Sequence, residues 1–170
     1  MLGIRKATPD DVPAILRLVK ELATYEREPD AVVATEDDFL RDGFGEKALF
    51  RCHIATWNRE PIGFALWFFT FSTWRGKRCL HLEDLFVEPA HRKKGAGLGL
   101  MRALAREAVD ADCARFVWQV LDWNEPAITF YERIGANVMK EWIAARLEGP
   151  ALEALAASGA GEGNGKADGA

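Results

Sequence analysis

The feature that most constrains this chain is the run Arg92-Lys93-Lys94-Gly95-Ala96-Gly97-Leu98-Gly99-Leu100, set between an apolar stretch and an amphipathic one. Leu80, Leu82, Leu85, Phe86 and Val87 precede it. Leu98, Met101, Leu104, Ala105 and Ala108 then recur on one helical face, with Arg102, Arg106 and Glu107 on the other. A strand must therefore turn into a helix within the glycines. Such a turn exposes backbone N–H groups at a helix N-terminus, where phosphate binds readily, and three basic side chains stand directly before it. Leu100 occupies the place where G-x-G-x-x-G needs its third glycine, and no G-x-x-x-x-G-K-[ST] is present. Neither the dinucleotide fingerprint nor the P-loop fits. The pattern that does fit is R-x-x-G-x-G over 92–97.

Around this unit, the hydrophobic pattern predicts a strand over 2–7, then a helix from Val12 to about Tyr25, with Thr8, Pro9 and Asp11 forming its capping box. Thr35-Glu36-Asp37-Asp38 repeats the cap and starts a short helix ending near Gly43. Three strands follow, at 50–57, 62–71 and 78–87, as an antiparallel meander whose last member feeds the glycine turn. Beyond the turn come a helix, a strand over 114–121, a helix between Asn124 and Gly135, a strand over 141–147 and a terminal helix over 150–157. Residues 158–170 are rich in Gly and Ala, have no large apolar side chain and read as a disordered tail. The expected organisation is one domain over 1–157 followed by that tail.

Composition limits the partners. The 170 residues carry a net charge of −4, so a nucleic-acid footprint is not expected. The longest apolar run, 62–71, is too short to span a bilayer, and the first eleven residues hold no signal core. Cys52, Cys79 and Cys113 are widely spaced without a C-x-x-C and read as reduced thiols of a cytoplasmic protein. His81-Leu82-Glu83 imitates the H-x-E of zinc deaminases, but no P-C-x-x-C follows, and no metal is expected.

The R-x-x-G-x-G turn resembles the pyrophosphate-binding turn of the GNAT family of acetyl-CoA-dependent N-acetyltransferases. Two further stretches carry the same resemblance. Asp122-Trp123-Asn124-Glu125-Pro126-Ala127-Ile128-Thr129-Phe130-Tyr131, followed by Gly135-Ala136, is similar to the segment N-x-x-A-x-x-[FL]-Y-x-x-x-G-[FA]; His81-Leu82-Glu83-Asp84-Leu85-Phe86-Val87 resembles the strand that pairs with the cofactor's pantetheine arm. Stretches at 21–26, 42–46 and 72–77 are similar to the spermidine/spermine and thialysine N-acetyltransferase branch. The resemblance covers about residues 2–147. It implies a single α/β domain with a mixed, mostly antiparallel sheet, and acetyl-CoA seated where the strand at 80–87 splays from that at 115–121.

The resemblance also implies roles. The turn from Arg92 through Lys93, Lys94, Gly95, Ala96, Gly97 and Leu98 to Gly99 holds the phosphates, mostly by its backbone. Leu85, Phe86 and Val87 line the pantetheine arm, with main-chain hydrogen bonds from Leu85 and Val87. Asn124 and Pro126 meet the same arm, although Asn124 also suits a helix N-cap. An amine must lose a proton before it attacks a thioester, and Glu83 is the implied base. From the residues alone Glu83 reads as a solvated strand carboxylate, with Asp84 sent to the opposite face by strand alternation. Tyr131 is the implied acid for the leaving thiolate; by spacing alone it is a core aromatic. Nine acidic residues between Glu21 and Glu46 face only Arg27 and Arg41. Most read as solvated surface, and Tyr25 and Glu26 match the branch's substrate-contacting pair. Trp142 is the last implied substrate contact, but Met139-Lys140-Glu141-Trp142 replaces the branch's E-x-G-W, which puts a smaller diamine or a lysine-like amine at least level with polyamines as the expected acceptor. Acetylation of a protein lysine or N-terminus, and a non-catalytic CoA sensor, are the rival readings. The aromatic string Trp67, Phe69, Phe71 and Trp74 is available either to a homodimer contact, as in that branch, or to the core.

Overall fold

The computed structural model describes residues 1–158, so the tail expected from 158 onward lies, after its first residue, outside the described residues. The chain divides into two compact units, the first ending at Gln119 and the second beginning at Val120.

The first unit holds a five-stranded sheet in the order β1 (Leu2–Lys6), β2 (Arg51–Trp57), β3 (Glu60–Ser72), β4 (Lys77–Val87) and β5 (Arg115–Val117). The first three pairings are antiparallel and β4 with β5 is parallel. Helices α1 (Val12–Tyr25) and α2 (Glu36–Phe44) connect β1 to β2, and α3 (Ala96–Asp110) connects β4 to β5. One face of the sheet buries Cys52, Ile54, Phe64, Leu66 and Phe86 against Val12, Ile15, Leu16, Leu18 and Leu22 of α1 and Phe39 of α2. On the other face lie Ala55, Ala65, Trp67, Leu80 and Leu82, below α3's buried Leu100, Met101 and Leu104. Each fully buried aliphatic side chain contributes roughly 1.5–3 kcal/mol, so this two-sided core dominates the unit's stability.

Capping sets the helix starts as the sequence implies. Thr35 N–H donates to Asp38 Oδ2 at 2.9 Å while Asp38 N–H donates to Thr35 Oγ1 at 3.3 Å. At the start of the chain the box Thr8–Asp11 forms a 3₁₀ turn ahead of α1, and Arg5 grips the same Asp11 carboxylate at 2.6 and 2.7 Å. That guanidinium holds the Asp11 carboxyl down at about 2.

The second unit contains α4 (Glu125–Arg133) and α5 (Gly149–Ala157). Two expected strands differ. The strand anticipated over 114–121 is only Arg115–Val117, because β4 pairs with it only over Cys79–His81. The strand anticipated over 141–147 does not form; Trp142 and Ile143 are 70% and 93% exposed, and no ladder among the described residues holds them. The aromatic string also divides: Trp67 is fully buried, whereas Phe71 and Trp74 stand exposed near the β3–β4 turn. No helix among the described residues is long and apolar enough to cross a membrane.

Candidate active site

The glycine turn forms as its spacing demands. Gly95 caps α3 at φ +89°, a left-handed conformation that a side chain would strain. Gly99, one turn later, lies against β1, where a Cβ would sit 2.9 Å from Ile4 Cγ1. One glycine thus permits the bend and the other lets the helix settle on the sheet. The N–H groups of Ala96, Gly97 and Leu98 precede the first helical bond, Gly99 N–H to Gly95 C=O at 2.8 Å, and they point out of the helix N-terminus.

The basic side chains before the turn have partners within the fold. Arg92 Nε donates to Val87 C=O at 2.9 Å, and its guanidinium lies 4.6 Å from the Tyr25 ring centroid and 5.6 Å from that of Phe86. Lys94 Nζ donates to Ala90 C=O at 3.0 Å and stands over Trp57. Lys93 is exposed, with φ +61°. Arg92 therefore braces the turn against the end of α1 as well as carrying charge to it.

Beyond His81, β4 has no ladder with β5, so its outer edge opens toward the turn. Glu88 N–H donates to Ile62 C=O at 2.9 Å, which sets the phase of the β3–β4 ladder. By antiparallel alternation the N–H groups of Leu85 and Val87, opposite Ala65 and Gly63, point to that open edge, whereas Phe86 bonds toward β3. Phe86 also turns its ring into the core, so the pantetheine contacts implied for this strand fall to the main chain of its neighbours.

The acidic half of the site departs from strand alternation. Leu66 pairs with Asp84 and Trp67 with Leu82, leaving Glu83 as the extra residue of a β-bulge. The bulge reverses the phase of β4: Phe86 and Asp84 face α1 on one side of it, and His81, opposite Phe68, faces the same way on the other. Glu83 Oε2 lies 3.5 Å from His81 Nε2, and the Glu83 charge acts on Asp84. Alternation had sent Asp84 to the opposite face from Glu83; the bulge brings both carboxylates to one side. Asp84 is the candidate site residue that alternation missed. Its only signal was a second carboxylate directly after Glu83 in the strand.

Burial, together with the charges of Glu83 and Glu26, pushes the Asp84 carboxyl up to about 6. Glu26, which caps the C-terminus of α1 next to Tyr25, is likewise raised by burial. Three other carboxylates of the acidic segment are paired locally: Arg17 holds Glu21, and Arg41 holds Asp38 and Asp42. Glu26 and Glu83 both act on Asp84, so these three carboxylates form a focus at the rim of the opened sheet.

A profile of the Acetyltransferase (GNAT) family matches residues 13–136, which spans the bulged strand, the glycine turn and α4. The chain belongs to the GNAT acetyltransferase family. Within it, this GNAT protein is 37% identical over 164 residues to a thialysine N-epsilon-acetyltransferase of Sus scrofa, with 90% of this chain and 96% of that protein covered. It is 40% identical over 140 residues to a human spermidine/spermine N(1)-acetyltransferase-like protein 1, covering 78% of this chain and 20% of that larger protein. Among solved structures, an integron cassette protein from the mobile metagenome of V. cholerae superposes with a TM-score of 0.77 at 29% identity, covering 91% and 97% of the two chains.

In the second unit, Asn124 is the N-cap of α4, its side chain accepting from Ala127 N–H at 3.4 Å, and Pro126 occupies the first turn. Tyr131, 7% exposed on α4, packs beside Phe130. Trp142 lies on the segment that forms no strand. Among the described residues, no group of three or more His, Cys, Asp or Glu side chains could hold a metal ion.

Proposed function

We propose that this GNAT protein transfers an acetyl group from acetyl-CoA directly to the primary amine of a small cationic acceptor of the thialysine, lysine or polyamine type. The observation that carries this reading is the Glu26–Glu83–Asp84 focus beside the opened edge of β4. Half-buried like charges are costly unless a cation joins them, and an ammonium group relieves that cost while leaving its partner amine to react. The names of the relatives support the same acceptor class.

The residues on the open edge fit the cosubstrate. The N–H groups of Leu85 and Val87 suit an amide-bearing arm, and the N-terminus of α3 with Lys93 and Arg92 suits a pyrophosphate. Acetyl-CoA supplies the thioester acyl group. Glu83 takes the proton that the ammonium must lose before its nitrogen can attack. The Val87 N–H is directed to stabilise a developing oxyanion. Tyr131 holds a phenolic proton at its hydroxyl for the departing sulfur. The reading includes a cytoplasmic homodimer, for which exposed Phe71 and Trp74 offer apolar surface.

The test is CoA release from acetyl-CoA with spermidine, putrescine, thialysine, lysine and a peptide offered in turn. Turnover is expected on a small amine, falling about a hundredfold in Tyr131→Phe without loss of fold. Turnover on the peptide alone would favour a protein acetyltransferase. Tight acetyl-CoA binding without turnover on any amine would favour a sensor.

A further inference from the structure

Outside the carboxylate focus one side chain is arranged toward the reacting group without an assigned task. His81 sits two residues before Glu83 on the same side of β4, because the bulge follows it rather than separating the two. Its ring stacks on Phe68 across the β3–β4 ladder, with centroids 5.0 Å apart and planes inclined by 29°. That stacking fixes the imidazole plane and points Nε2 at Glu83 Oε2, 3.5 Å away. The pair is at ion-pair distance, one small side-chain rotation from a formed hydrogen bond. The His81 side chain is 25% exposed and that of Glu83 55% exposed, so both groups reach solvent.

We propose that His81 is a positioning residue for Glu83: it holds the carboxylate toward the acceptor and receives the proton that the carboxylate collects. This rests on the reading of Glu83 as the base. The amine N–H bond breaks as an O–H bond forms on Glu83. That proton then moves to the Nε2 lone pair of the His81 ring, restoring the carboxylate, and the Nε2 proton is afterwards released to water, which returns the ring to its starting tautomer. No other reactant is needed. Asp84 and Glu26 do not share this task. Burial disfavours their charged forms, and their place beside the end of α1 suits them to the acceptor cation.

The experiment compares wild type, His81→Ala, His81→Gln, Glu83→Gln and the double variant His81→Ala/Glu83→Gln, with the most active amine from the panel above. Circular dichroism and acetyl-CoA binding verify that each is folded, and His81→Gln keeps a polar planar group if His81→Ala loosens the hairpin. His81→Ala is expected to lower kcat at least about tenfold with both KM values within about twofold, and free imidazole is expected to restore part of that loss. In the Glu83→Gln background, removing His81 is expected to add nothing, and imidazole to rescue nothing. Unchanged kcat in both His81 variants, beside a large loss in Glu83→Gln, would overturn the proposal while leaving Glu83 as the base. Equal loss in both backgrounds, or no imidazole rescue, would make His81 a packing residue and overturn it too. Full activity in Glu83→Gln would instead remove the base reading on which the proposal stands.

Discussion

Replacing Asp84 by asparagine should make the free protein more stable and worse at binding its acceptor. The carboxyl is held near 6, against 3.8 for an ordinary aspartate, chiefly by burial and then by Glu83 and Glu26. Because the folded-state value lies above the unfolded one, the folded protein binds more protons between about pH 4 and 6, and stability falls as pH rises through that window. Above about pH 7 the whole penalty is present, about 3 kcal/mol at roughly 1.36 kcal/mol for each tenfold change in proton affinity. The amide of the Asp84→Asn variant has no charge to desolvate. Its advantage over wild type should be near zero at about pH 4, grow through about pH 5 to 6, and level off at about 3 kcal/mol by about pH 7.5. Urea unfolding of both proteins at closely spaced pH values measures the difference. For a domain of this size, about 3 kcal/mol corresponds to a rise in Tm of roughly 6–12 °C. Addition of the amine should stabilise wild type more than the variant, since only wild type adds the Asp84 charge to those of Glu26 and Glu83. An Asp84→Asn protein no more stable than wild type at about pH 7.5, or one whose advantage is the same at about pH 4, would refute the argument that this carboxylate is kept under electrostatic load.

Two further changes probe the frame that carries the site. Gly99→Ala drives a Cβ to 2.9 Å from Ile4 Cγ1, so α3 must lift from β1; a loss of about 1–3 kcal/mol in thermal unfolding is expected, with weaker acetyl-CoA binding because the turn moves with the helix. His53, buried between the sheet and α3, accepts from Trp67 Nε1–H at 3.2 Å through Nδ1, and burial lowers its titration despite Glu107 at 3.7 Å. Its unfolded form therefore takes up protons first, so stability should fall as pH drops below about 6.5, opposite in sign to the Asp84 effect. His53→Gln should flatten that acid limb, and an unaltered limb would exclude His53 as its source.

The sheet, the helices flanking it and the glycine turn were legible in the sequence because each rests on a local rule. Thr35 and Asp38 satisfy each other within one turn, Gly95 supplies a positive φ, and the apolar stripe of α3 repeats at helical spacing. The failures come from rules that are not local. Strand alternation misplaced Asp84, since a bulge is set by which β3 residue lies opposite, and Leu66 and Trp67 are remote in sequence. The strand expected over 141–147 has suitable side chains, but a strand needs a neighbour's backbone, and none among the described residues of its unit supplies a ladder. Arg92 was read as a phosphate ligand from its place in the motif; its contacts with Tyr25, Phe86 and Val87 depend on the packing of α1 against β4.

That last contact limits how the molecule can diversify. Tyr25 ends the helix that leads into the segment proposed to face the acceptor, and Arg92 begins the turn proposed to meet the cosubstrate. One guanidinium joins them. A lineage or a designer wishing to retarget the acceptor by exchanging the region around α1 and α2 cannot treat it as a detachable cassette. Whatever replaces Tyr25 must still offer a flat surface to position 92, or the change made for one substrate will be felt at the other.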